Sequence, residues 1–95
     1  MKYFNWNNEK NEKLREIRGV SFEEAVLAIE QGQLLDVLEH PNKNKYKSQN
    51  MFVVKIYNYA WLIPFVETEN EVFLKTIIPS RKATKKYLRA GEDND

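Results

Sequence analysis

The chain has 95 residues, enough for one domain and too few for a second core. Hydrophobic residues make up 42% and charged residues 31%, and five Phe, five Tyr and two Trp argue against a disordered chain. It has no cysteine, which excludes disulfides and thiolate metal sites, and its single histidine, His40, excludes a multi-histidine metal cluster. No cofactor and no metal are therefore expected. No apolar run approaches the ~20 residues that a membrane span needs. The opening Met1–Trp6 is too polar for a signal peptide. A soluble cytoplasmic protein with no membrane partner is expected.

Residues 2–6 suit a short first strand. Asn7 or Asn8 can cap a helix that runs to about Arg18. Its apolar face is thin, with Leu14, Ile17 and the stems of Lys10 and Lys13. Gly19 suits a left-handed stop. Ser21-Phe22-Glu23-Glu24 reads as a capping box. Behind it Phe22, Ala25, Val26 and Ile29 repeat with the period of one buried helical face. Gly32 ends this second helix.

Gln33 to Leu38 reads as a strand, and Glu39 to Asn50 as a polar loop around Pro41. Met51 to Tyr57 alternates, with Phe52, Val54 and Ile56 on one face and Lys55 and Tyr57 on the other. A tight turn is expected at Asn58-Tyr59, then a strand from Ala60 to Glu67. Pro64 inside that strand has no amide proton, which implies an edge position or a bulge. After a turn at Thr68–Glu71, the β-branched run Val72–Ile78 predicts a last strand. Pro79 breaks it, and Ser80 can cap a C-terminal helix from Arg81, with Ala83, Tyr87 and Ala90 facing inward.

The expected fold is α+β: two N-terminal helices, an antiparallel sheet of three to four strands, and a C-terminal helix. The helices should cover one face of the sheet. Residues 1–90 form the single domain, and 91–95 read as an acidic disordered tail.

The net charge of +1 hides a segregated distribution. From Val72 to Gly91 there is no acid, yet Lys75, Arg81, Lys82, Lys85, Lys86 and Arg89 all lie there. Lys43, Lys45 and Lys47 form a second cluster. Charge arranged in this way gives one surface a positive potential suited to nucleic acid.

Two stretches resemble the BrnT family of toxins from bacterial type II toxin–antitoxin pairs. The first is Phe4-Asn5-Trp6-Asn7, Lys10, then Ile17-Arg18-Gly19-Val20-Ser21-Phe22-Glu23-Glu24-Ala25. The second is Ile77-Ile78-Pro79-Ser80-Arg81-Lys82-Ala83-Thr84. An acidic pair, Glu67 and Glu69, also stands where the family carries Thr-Glu. The chain departs from the pattern at Asn7, where the family has Asp, and at Ile17-Arg18, where it has Lys-His. The resemblance implies a RelE-like fold, a metal-independent endoribonuclease that cleaves mRNA and blocks translation, and neutralisation by a cognate antitoxin. That antitoxin would be a small DNA-binding protein, so operator DNA would be reached only through it. The RNA target would be free or on the ribosome.

Metal-free RNA cleavage needs a base for the 2′-hydroxyl, cations for the phosphoryl oxygens and an acid for the leaving oxygen. Arg81 is the first candidate, because its guanidinium suits a phosphate and it opens a helix. Glu67 or Glu69 is the candidate base, with Glu69 more readily explained as a hairpin-turn acid. His40 is the only imidazole, the side-chain type suited to proton transfer near neutral pH. Lys10 and Arg18 match family positions and are candidates to line the cleft. Lys43, Lys45, Lys75, Lys82, Lys85 and Lys86 would hold RNA without reading its sequence. Tyr46, Tyr57, Tyr59 and Trp61 are candidates for base stacking, although strand aromatics such as Tyr57 and Trp61 more often pack into a core. The alternatives are a non-catalytic module that binds RNA or the ribosome, and an antitoxin-binding corepressor.

Overall fold

The computed structural model describes residues 2–39 and 49–89. The candidates His40, Lys43, Lys45 and Tyr46, and the tail 91–95, lie outside these residues. In chain order the elements are β1 (Tyr3–Trp6), α1 (Asn8–Arg18), α2 (Phe22–Glu30), β2 (Leu34–Glu39), β3 (Gln49–Ile56), β4 (Tyr59–Glu67), β5 (Glu71–Leu74), β6 (Ile78–Pro79) and α3 (Arg81–Leu88). The protein is α+β, as its sequence suggests, but the layout is richer. Among the described residues the sheet has six strands rather than three or four, in the order β1-β5-β4-β3-β2, with β6 also on β4. It is mixed rather than antiparallel, because β1 runs parallel to β5.

The expected last strand, Val72–Ile78, is two strands, and Pro64 is the cause. β4 lies in the interior of the sheet, not at an edge. The Lys75 amide donates to the Pro64 carbonyl at 2.8 Å. A residue in an antiparallel ladder would return that bond from its own N–H, and proline has none. The ladder stops there. The chain leaves β4 over Lys75–Ile77 and rejoins it at Ile78 and Pro79, opposite Leu62 and Trp61. Pro64 is tolerated in an interior strand because its bare nitrogen faces this interruption.

The helices cover both faces of the sheet, not one. On the first face, Leu14, Val20, Phe22, Ala25 and Ala28 pack against Val54, Ile56, Trp61, Ile63, Phe65, Leu74 and Ile77. Trp6 stacks on Phe22 at 5.6 Å, and Phe52 on Phe65 at 3.9 Å. On the second face, Ala83, Tyr87 and Leu88 of α3 pack against Leu35, Leu38, Val53, Ala60 and Leu62. A bulge between Leu34 and Asp36 turns Leu35 and Asp36 toward α3.

The capping box forms. The Glu24 amide donates to the Ser21 hydroxyl at 3.2 Å, and the Ser21 amide donates to the Glu24 carboxylate at 3.0 Å. In α1, Ile17 is 76% exposed, contrary to its expected place on the buried face. Asn11 takes the inner position instead. Its carbonyl accepts from the Phe22 amide and its NH₂ donates to Glu23, both at 2.7 Å. That bond is the main reason the Glu23 carboxyl titrates below its ordinary range.

The β3–β4 turn is at Tyr57-Asn58, one residue earlier than expected. Both residues have positive φ, 53° and 60°, the signature of a two-residue hairpin turn. Tyr57 is 71% exposed rather than packed, and its hydroxyl donates to Glu24.

Thr84 fastens α3. Its hydroxyl donates to the Ser80 carbonyl at 2.8 Å and accepts from the Ala60 amide at 2.9 Å. The Ser80 amide in turn donates to the Ala60 carbonyl at 3.0 Å. Thr84→Val keeps the shape and leaves the buried Ala60 N–H without a partner. It is expected to destabilise the protein by about 1–3 kcal/mol in urea unfolding. A second link joins Tyr87, which donates to Asp36 at 2.5 Å. The bond holds Asp36 below its ordinary carboxylate range and Tyr87 above its ordinary phenol range. A depressed carboxyl stabilises above its unfolded pKa, and that contribution is lost as pH falls through the folded value. A raised phenol stabilises below its unfolded pKa, and that contribution is lost as pH rises through the folded value. The stability gap between wild type and Tyr87→Phe should therefore be flat near neutrality. It should close below about pH 4 and above about pH 10.

Candidate nucleic-acid interface

β1 and β5 are parallel and in register, with Trp6 beside Leu74. The next residues on each chain, Asn7 and Lys75, therefore emerge together at the carboxyl ends of the two strands. Asn7 caps α1, its side chain accepting from the Lys10 amide at 3.0 Å. The α1 N-terminus, with its free amides, thus opens beside Lys75. Asn7, Glu9, Lys10, Lys13, Phe73 and Lys75 line a groove of ≈ 560 Å³ there, within the size range of small-ligand sites. An adjoining hollow shares Lys10 and Lys13 and continues along α1 to Leu14, Ile17 and Arg18.

Four cations, Lys10, Lys13, Arg18 and Lys75, thus face these hollows, against the one lining carboxylate of Glu9. The Lys75 ammonium sits 5.6 Å from the centre of the Phe73 ring, a cation–π contact. Arg18 donates to the Ile77 carbonyl, on the segment that Pro64 forces off the ladder. The groove pairs point charges with an aromatic ring, which suits a phosphate chain carrying bases.

The structure brings together Lys10, Arg18 and Lys75 of the sequence-predicted residues. Lys13 and Phe73 join them and were not expected as site residues. Lys13 was read for its stem alone, though its spacing of three from Lys10 puts both on one helical face. Phe73 stands two residues before Lys75, so strand alternation puts both on one face, but only the pairing of β1 with β5 sets that face beside α1.

The other candidates lie elsewhere. Glu67 stands opposite Val72 in β5, ion-paired with Lys2. Arg81 follows Ser80, which is bonded to Ala60, seven positions back along β4 from Glu67. At ~3.3 Å per residue that places them ~23 Å apart, so they do not share one phosphodiester. Lys82, Lys85 and Lys86 are exposed on α3, across the sheet from α1. Trp61 is core, its indole N–H donating to the Ile56 carbonyl at 3.1 Å. Tyr59 is half-buried, edge-on to Trp61. Among the described residues no group of three or more His, Cys, Asp or Glu side chains is placed to hold a metal ion. No described helix is long and apolar enough to cross a membrane.

Replacing Lys10 and Lys75 together by Gln is expected to weaken binding of a short single-stranded RNA. The slope of log affinity against log salt should become shallower by about 1.4, from ~0.7 per lost phosphate contact. Fluorescence anisotropy across a salt series measures this. No family model matches the chain, and neither a curated protein nor a solved structure is significantly similar to it.

Proposed function

We propose that the chain is the toxin member of a BrnT-type toxin–antitoxin pair and that it acts on RNA, holding the phosphate backbone in the groove between α1 and β5. The observation that carries this reading is the convergence of Lys10, Lys13 and Lys75 around Phe73, with Arg18 on the adjoining hollow. Lys10 matches the BrnT resemblance, and Arg18 stands where that family carries His. On this reading the fold is a RelE-like variant, and the activity is metal-independent cleavage of mRNA in the cytoplasm that halts translation. A small DNA-binding antitoxin encoded alongside neutralises it and alone contacts the operator.

In cleavage, the cations stabilise charge on the phosphoryl oxygens. Arg81, on the α3 side of the same sheet edge, adds a bidentate donor for a neighbouring phosphate. A second reading, binding to RNA or the ribosome without cleavage, is favoured by the separation of Glu67 from Arg81. The corepressor reading needs no groove at all.

The test is induced expression of the wild type, Arg81→Ala and the Lys10→Gln/Lys75→Gln pair, with growth and total RNA followed. Growth arrest with RNA cleavage is expected in the wild type. Cleavage should fall roughly tenfold in Arg81→Ala, which loses a charge-assisted contact to a neighbouring phosphate, and be lost in the pair. Arrest without cleavage would replace the nuclease by the binding reading. Soluble wild-type protein with no arrest would sink the toxin reading.

A further inference from the structure

The function proposed above uses the groove on α1 and leaves the outer face of α3 unexplained. Ala83 and Thr84 are buried and Tyr87 and Leu88 half-buried on one side of this helix. Arg81, Lys82, Lys85, Lys86 and the C-capping Arg89 are exposed and together cover the opposite side. From Arg81 to Arg89 there is no acidic residue.

Lys85 and Lys86 in the last turn suit the helix macrodipole, but the N-terminal part of this arrangement works against the helix. Arg81 and Lys82 stand in the first turn, where the macrodipole favours acids. Lys82 and Lys86 are like charges four apart, which repel on a helix surface, and the acid facing them, Asp36 of β2, lies near Lys86 and is already bonded to Tyr87. A surface chosen for solubility alone would mix signs. A poly-anionic partner removes both penalties.

The shape of the surface indicates which poly-anion. The groove at Phe73 is concave and offers a ring to an unstacked base. The α3 face offers no ring, because its one aromatic, Tyr87, is held inward by its bond to Asp36, and the hollow at its far end is lined by Lys55, Asn58, Leu88 and Arg89 without an aromatic. Single strands are held in grooves with stacking rings, whereas duplex RNA is held by phosphate and ribose contacts without stacking. The two surfaces meet at the β5–β6 edge. Arg18 holds Ile77 there, and Arg81 opens α3 just beyond. Lys75 and Ser80 are bonded to Pro64 and Ala60, about 13 Å apart along β4 at ~3.3 Å per residue. One RNA can span both surfaces.

Resting on the reading that the groove binds RNA, we infer that the α3 face is a docking surface for duplex RNA. The preferred substrate is then a single-stranded segment adjoining a stem. The stem lies on α3 and the single strand enters the groove.

The test compares three RNAs across about 50 to 200 mM salt. They are a single strand of about ten nucleotides, a duplex of about 16 base pairs, and that duplex carrying the single strand as a tail. The wild type should bind the tailed stem about tenfold or more tighter than the single strand. Lys82→Gln/Lys86→Gln/Arg89→Gln should lose that gain and keep the single-strand affinity, with a salt slope on the tailed stem shallower by about 2 to 3. The charge-keeping Lys82→Arg/Lys86→Arg/Arg89→Lys should keep the gain, which separates lost charge from lost folding. A tailed stem bound no tighter than the single strand, or a gain that survives the Gln variant, overturns the inference while the groove reading stands. No binding of any of the three RNAs overturns both.

Discussion

The missing amide proton of Pro64 governs more of this structure than any other single feature. It lies in an interior strand, where each backbone N–H is normally used. Because the bond from Lys75 cannot be returned, β5 ends and the chain steps outward for three residues. That step frees the Ile77 carbonyl for Arg18 and so ties the end of α1 to the sheet edge. It also gives Lys75 a place at the mouth of the groove. When the chain rejoins β4 it does so for two residues, then turns into α3. Those two residues alone would be a weak anchor. The Ala60 backbone makes up the difference, its carbonyl bonded to Ser80 and its amide to Thr84.

The sheet acts as a partition. Alternation along β3 and β4 sends Val54, Ile56, Trp61 and Ile63 to the α1–α2 side and Val53, Ala60 and Leu62 to the α3 side. A sheet buried on both faces has little side-chain surface left for chemistry, so binding surfaces have to form at its margins. The charges follow this logic. Glu23, Glu24 and Glu30 lie on α2, and Asp36 and Glu39 on β2, toward one edge of the sheet. Lys10, Lys13 and Lys75 gather at the β5 margin and Arg81 opens α3 beside β6, whereas the far end of α3 reaches back over β2, where Lys86 lies near Asp36. A near-neutral total therefore coexists with a local concentration of cations at the β5 margin.

What the sequence made legible was local. The capping box, the αL stop at Gly19 (φ 70°) and the alternation through Phe52, Val54 and Ile56 each depend on residues a few positions apart. What it concealed needed partners far along the chain. Asn11 looks like a solvated helix residue until Phe22 and Glu23 are brought over it. Ile17 looks like core until Asn11 is seen to occupy the inner face. Pro64 signals an irregularity, but whether the edge is that of the strand or of a gap in its neighbour depends on where β5 ends. The placement of α3 opposite α1 and α2 was equally hidden, since its amphipathic pattern shows that one side is buried and not which layer buries it.

The groove shows the same limit most clearly. Lys10 and Lys75 are separated by most of the chain, and neither is remarkable in its own segment. They meet because β1 pairs with β5 in parallel, at a register that sets Trp6 beside Leu74. A parallel pair points both carboxyl ends the same way, so whatever follows each strand emerges at one place. Here a helix N-terminus follows one strand and a lysine follows the other, both favourable to an anion. A shift of one residue in that register would turn Trp6 out of its stack on Phe22 and Phe4 away from Phe52. The core thus fixes the register, and the register assembles the groove.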